Sequence, residues 1–211
     1  MKALKLVAAA VLLGLAGYLL QRSFNPRPSD EHAGPPAGVG QVVAEQTAKA
    51  IGEQGEILVL DCPNDSVDSK ALRSAFASQI KSYKNIKVSY RDLDRSEVNM
   101  MVAISFDQLA TELDKHPNLA AVVSFVGIES FSDAQIASLP SPNPKFVVVG
   151  WQAREVRSGF NKGVIAAAVL GREITSLPTD SPKTSKQWFD RYNYVLTPQG
   201  KFDSAGVSVA N

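Results

Sequence analysis

The residues whose types and spacing could do chemistry begin with Asn64-Asp65, in the polar stretch "DCPNDSVDS" after the apolar run "EILVL". In parallel α/β folds, ligands are held just past the carboxyl ends of the strands, so both side chains sit where a ligand could contact them. Asn and Asp also satisfy local backbone groups as turn formers, the simpler reading of the pair. A second such position follows "KFVVVG", residues 145–150, where the apolar run stops at Gly150 and is followed by Trp151 and Gln152. Trp151 reads as a stacking surface, a core residue or an interface anchor, since tryptophan is enriched at contact hot spots. Val126, near the end of "LAAVVSFVG", residues 119–127, adds an apolar group to the same rim. Together Asn64, Asp65, Val126, Trp151 and Gln152 form the candidate ligand- or partner-binding set. No catalytic residue, metal ligand or cofactor is expected.

The remaining reactive types point to structure. Cys62 is the only cysteine, which excludes an internal disulfide and leaves a small apolar residue at a strand end. His32 lies in a proline-rich stretch, and His116 at the end of a helical pattern. Neither has a local signature that would pair it with Cys62 or with a serine. Asp92, Asp94 and Glu97 make an acidic patch without the ordered oxygen-ligand spacing of a calcium loop. The chain has no G-x-S-x-G elbow, no G-x-G-x-x-G and no Walker loop, which argues against a hydrolase or a nucleotide-binding protein. A net charge of +1 provides no basic stripe to displace counterions from phosphate, so nucleic acid is not an expected partner.

The elements that must position these residues alternate between two periodicities. Residues 41–52 read as a short amphipathic helix and 56–60 as a continuous apolar strand. Residues 69–83 space Leu72, Phe76 and Ile80 four apart, with Ser69 as a candidate N-cap. "NIKVSYRDL" is a second strand. Residues 106–116 form a helix with Phe106, Leu109, Ala110 and Leu113 on one face, ending before Pro117. A strand at 119–127, a short helix near 132–139 and a strand at 145–150 follow. "AREVRSGFNKG" reads as helix. "VIAAAVL", 164–170, is bounded by glycines and reads as strand, 184–191 as helix and 192–196 as a last strand. Strands alternating with helices predict a mostly parallel sheet covered on both faces. Near the C-terminus, Trp188, Phe189, Tyr192 and Tyr194 form an aromatic cluster that reads as core or as a second docking surface.

Residues 1–22 differ sharply from the rest. After Lys2 and Lys5, Leu6 to Leu20 is uninterrupted and apolar. Helix over that stretch spans roughly 22 Å, short of the roughly 30 Å hydrocarbon core. Snorkelling by Lys5 and local thinning of the bilayer would make up the difference. A cleaved signal peptide is the competing reading. Uncleaved, the segment would be a transmembrane signal anchor, in lipid through residues 4–20. Its lysines would face the cytoplasm, giving a single-pass protein of the bacterial inner membrane with its domain in the periplasm or outside the cell. Residues 23–40, rich in Pro and Gly, read as a semi-rigid spacer.

Residues 40–196 resemble the second, C-terminal lobe of the type I periplasmic sugar-binding proteins, relatives of ribose-binding protein and LacI-type effector domains. The stretches that carry the resemblance are "GEILVLDCPND", "SKALRSAFASQIKSYKNIKVSYRDLD", "LDKHPNLAAVVSFVG", "KFVVVGW" and "GFNKGVIAAAVLGREITSLP". The resemblance implies a flavodoxin-like, three-layer α/β/α lobe over 41–197, a C-terminal tail at 198–211, and no enzymatic activity. It also implies a missing half, because members of the family clamp a small ligand between two lobes. Leu72 and Ala75 replace the arginine and glycine of the family's R-x-x-G-F. Gln152 replaces the aspartate of V-G-F-D, which accepts sugar hydroxyls, and Gly171 and Glu173 replace the ends of Q-x-P. Each lost polar partner removes about 1–3 kcal/mol, so a small-molecule ligand is doubtful for the chain alone. The expected function is a membrane-anchored, non-enzymatic accessory subunit docked on an integral membrane complex. The alternative is a solute-binding component, sugar-like in its ligand, that completes its cleft with another chain.

Overall fold

The computed structural model describes residues 34–64, 66–98, 103–150, 156, 159–172 and 180–198. The first element, α1 (Pro35–Ile51), starts on a proline, whose fixed φ suits the first turn, and ends at Gly52 in the left-handed conformation. It begins inside the stretch expected to be a spacer. Gly38, Val39, Gly40, Val43, Ala44, Thr47 and Ala48 are all buried, so proline and glycine here shape a packed helix end. β1 (Gln54–Asp61) follows. α2 (Val67–Ile80) is capped by Ser66, whose hydroxyl accepts from the Ser69 amide at 3.1 Å. The expected cap at Ser69 is thus displaced by three residues, because Ser66 has the extended backbone that a cap requires.

β2 (Asn85–Asp92) leads through a 3₁₀ turn (Arg95–Glu97) to β3 (Ala103–Ile104) and α3 (Phe106–Lys115). A reciprocal Ser105–Gln108 capping box opens α3, which buries Phe106, Leu109 and Leu113. β4 (Leu119–Ser124), β5 (Gly127–Ile128), α4 (Asp133–Ala137), β6 (Lys145–Gly150), β7 (Ile165–Gly171), α5 (Ser185–Tyr192) and β8 (Asn193–Leu196) complete the order. Of the helix expected over 153–163, only Val156 and residues 159–163 fall within the description.

The sheet runs β2-β1-β4-β6-β7-β8. Its first five strands are parallel, and β8 runs antiparallel to β7 at the edge. Side chains alternate between two cores, as pleated strands require. Leu58, Leu60, Val122, Phe146 and Val148 face α3. Ile57, Val59, Ala121, Val123 and Val147 face α1, α2 and α5. Both faces being covered explains the near-continuous apolar runs of β1, β4, β6 and β7. The small parallel ribbon β3-β5 was not expected, since two-residue strands leave no periodicity to read.

The transmembrane helix in the expected fold class is a correction. No helix among the described residues is long and apolar enough to cross a membrane, and residues 1–22 lie outside them. The fold that stands is the α/β lobe.

Candidate functional site

The strand order reverses at β1, with β2 on one side and β4 on the other. In open parallel sheets that reversal opens a crevice outside the carboxyl ends of the two diverging strands. Asp61 ends β1 and Ser124 ends β4, with Gly150 of β6 next along the row.

The loop after β1 is built by its own polar groups. The Asn64 side-chain oxygen accepts from the Ser66 amide at 2.9 Å, and the Asn64 amide donates to Ser69 Oγ at 3.4 Å. Asn64 is therefore a turn former on an exposed loop at the carboxyl end of β1. Asp65, Trp151 and Gln152 lie outside the described residues. Val126 is 3% exposed and belongs to the core with Leu58, Phe131 and Phe146. The Ser124 hydroxyl donates to its carbonyl, which folds the chain back after β4. Its side chain therefore lines the core and not the rim. Val126→Asn should lower stability by about 1–3 kcal/mol, the cost of burying an amide without partners. An unchanged melting temperature in that variant would return Val126 to the rim.

A polar cluster at the carboxyl ends of β1 and β2 was not singled out from the sequence. Arg73 of α2 meets Asp92 at 2.6 Å and Asp61 at 3.5 Å, and its guanidinium lies 4.6 Å over the Tyr90 ring. Asp61 is buried, and its Oδ2 has no hydrogen-bond partner among the described residues. Burial pushes its pKa above the ordinary value, outweighing the opposing charge of Arg73. A carboxylate closing an apolar strand is the one sequence signal that marked this position.

The acidic patch has a structural use. Glu97 forms a reciprocal capping box with Asp94 and pairs with Arg91 at 2.5 Å. Arg91 also meets the buried Glu112 at 3.2 Å, and Lys115 meets Glu112 at 2.9 Å. Burial opposes the charge on Glu112, but the hydrogen bonds from Lys115 and Arg91 prevail and lower its pKa. No group of His, Cys, Asp and Glu that could hold a metal ion occurs among the described residues. His116 lies 3.6 Å from Glu56, toward the amino end of β1 and far along the strand from the crevice. Cys62 is half-buried against the α3-side core. Of the C-terminal aromatics, Phe189 is core, while Trp188 and Tyr192 stack on each other at 5.5 Å.

No protein-family model matches the chain, and no curated protein matches it. Solved structures do. The fold is similar to GanP, a glucose-galactose binding protein from Geobacillus stearothermophilus, at 14% identity and a TM-score of 0.50 over 64% of this chain and 47% of that one. It is similar at 17% identity and a TM-score of 0.50 to an ABC transporter solute-binding protein from Burkholderia graminis in complex with D-arabinose, over 64% of this chain and 46% of that one. It is also similar to a mutant XylFII–LytSN complex at 18% identity and a TM-score of 0.50, over 64% and 53% of the two chains. The chain thus spans about half the length of the structures it matches. It has the fold of a periplasmic solute-binding protein lobe.

These findings correct the membrane reading. The structures matched are sugar- and solute-binding proteins. No described helix could provide the bilayer contact expected through residues 4–20 or the single-pass, inner-membrane location. The integral membrane complex as partner loses its support with them, as does the doubt about a small-molecule ligand.

Proposed function

We propose that the chain is a solute-binding component that takes a sugar-like ligand and completes its cleft with another chain. The observation that carries this reading is a doubly wound lobe with the fold of the binding proteins it matches and a strand-order reversal between β1 and β4. The finer assignment is the second, C-terminal lobe of the type I, ribose-binding class, running from Pro35 to about residue 197, with 198–211 as a tail. Its ligand side comprises Asn64, Asp65, Trp151 and Gln152, with Trp151 offering a ring face and Gln152 a donor and an acceptor. Leu72 and Gly171 have no side-chain polar group for a hydroxyl, and in this reading the other chain supplies the further polar contacts. One of the similar structures, XylFII with LytSN, is a complex of two proteins, the kind of assembly this reading calls for.

A thermal-shift panel of D-arabinose, D-glucose and D-galactose, with and without candidate partner chains, tests the reading. Ligand at one hundred times its dissociation constant stabilises the native state by about 2.7 kcal/mol, so a clear rise in melting temperature is expected with at least one sugar. Gln152→Ala should reduce that rise. No shift with any sugar, alone or with partners, would sink the reading.

A further inference from the structure

Asp61 is 6% exposed, yet its Oδ2 has no hydrogen-bond partner among the described residues. A buried polar atom in that state calls for an explanation. Its nearest cation, Arg73 of α2, is drawn the other way. Arg73 Nη1 stands 2.6 Å from the exposed Asp92 of β2 and 3.5 Å from Asp61, and the Tyr90 ring 4.6 Å below holds the guanidinium in place. One cation thus serves two carboxylates unequally, and the buried one has the longer contact. The titratable and charged groups around Asp61 are Arg73 from α2 and Asp92 and Tyr90 from β2, while the amide of the next residue, Cys62, supports the ionised form. The Asp61 carbonyl accepts from the Leu93 amide at 2.7 Å, so the same residue ties the end of β1 to the end of β2.

We propose that Asp61 is a proton-controlled latch at the β1–β2–α2 corner of the ligand end. Ionised, it competes with Asp92 for Arg73 from a buried position. Protonated, it leaves the guanidinium to Asp92 and sits beneath α2 as a neutral group, and the corner that carries the Asn64 loop becomes more stable. This goes beyond the proposed function and does not depend on it.

The direction follows from linkage. The folded-state pKa of Asp61 lies above its ordinary value of 3.8, so the folded chain binds this proton more tightly than the unfolded one. Its contribution is therefore full below the ordinary value and is lost as pH rises through the raised one. Carbonyl-carbon NMR of the intact chain reads this directly. The Asp61 midpoint is expected above 3.8, and in Arg73→Met it should move further up, because the nearest positive charge is gone. A midpoint at or below the ordinary value, or a downward move in Arg73→Met, would overturn the latch. Melting temperature across about pH 4 to about pH 7 provides the second readout. Relative to Asp61→Asn, the wild-type chain should lose melting temperature as pH rises through the window. Equal slopes in the two proteins would also overturn it. Should Asp61→Asn not fold, the Arg73→Met titration decides alone.

Discussion

Replacing Gly40 by valine is expected to leave the chain unfolded, and Gly40→Ala to destabilise it by roughly 1–3 kcal/mol or more, the range for overpacking a tight core. Helix propensity argues the other way. In the interior of an unpacked helix, Gly→Ala stabilises by about 0.8–1.0 kcal/mol, so the sign of the effect decides which force shapes α1. A Cβ on Gly40 would collide with the Leu72 carbonyl oxygen and stand 2.9 Å from the Phe76 nitrogen, both backbone atoms of α2. Backbone cannot swing aside as a flexible side chain can. Gly38 has the same relation to α5, where a Cβ would meet the Ser185 carbonyl and stand 3.1 Å from Phe189 Cβ. The two glycines thus let one helix lie against two neighbours at once, two residues apart on its surface. Urea denaturation of Gly38→Ala and Gly40→Ala, singly and together, measures the effect. A gain in stability at either site would show that the helices move apart at little expense.

Those glycines also show where sequence reading stops. A spacer and a close-packed helix end are both rich in Pro and Gly, and composition does not separate them. The discriminating fact is the position of Leu72 and Ser185, which lie 32 and more residues away in the chain. The elements that were legible have a periodicity of their own. β1, β4, β6 and β7 are buried on both faces and so appear as apolar runs. α3 shows its face in Phe106, Leu109 and Leu113 because only one side is covered. The ribbon β3-β5 and the Arg73 cluster have no such local signature.

The candidate site divides in the same way. Asn64 lies on the loop after β1, and its turn chemistry is local and legible. The burial of Val126 is not, since it is decided by Phe131 and Phe146 packing with it. Asp61 and Arg73 form a pair only because β1, β2 and α2 meet at one corner, and nothing in "LRSAF" indicates that Arg73 turns toward Tyr90 while Leu72 packs among the sheet-side apolar groups.

Phe146→Ala is expected to be the most damaging truncation in the sheet, at about 3–5 kcal/mol. Phe146 has 0% exposure in β6, which is paired on both sides, with Val122 of β4 and Ile165 of β7 as its register partners. Its ring meets Phe131 edge-on at 5.8 Å, and Phe131 meets Phe106 at 5.2 Å, so one chain of aromatics ties β6 to the first turn of α3. Such pairs add about 0.5–1.5 kcal/mol each beyond the area they bury. The cavity left by the ring would be bordered by two paired strands, which limits how far the site can collapse to refill it. β6 ends at Gly150, at the carboxyl end of the sheet beside the β1–β4 reversal. Tyr90→Ala on the edge strand β2 is the control, because Tyr90 is 37% exposed and its loss should fall well below that of Phe146. The comparison is made by urea midpoints at unchanged slope. Equal losses at the two positions would mean that the β6 core relaxes as freely as the sheet edge, contrary to the packing described.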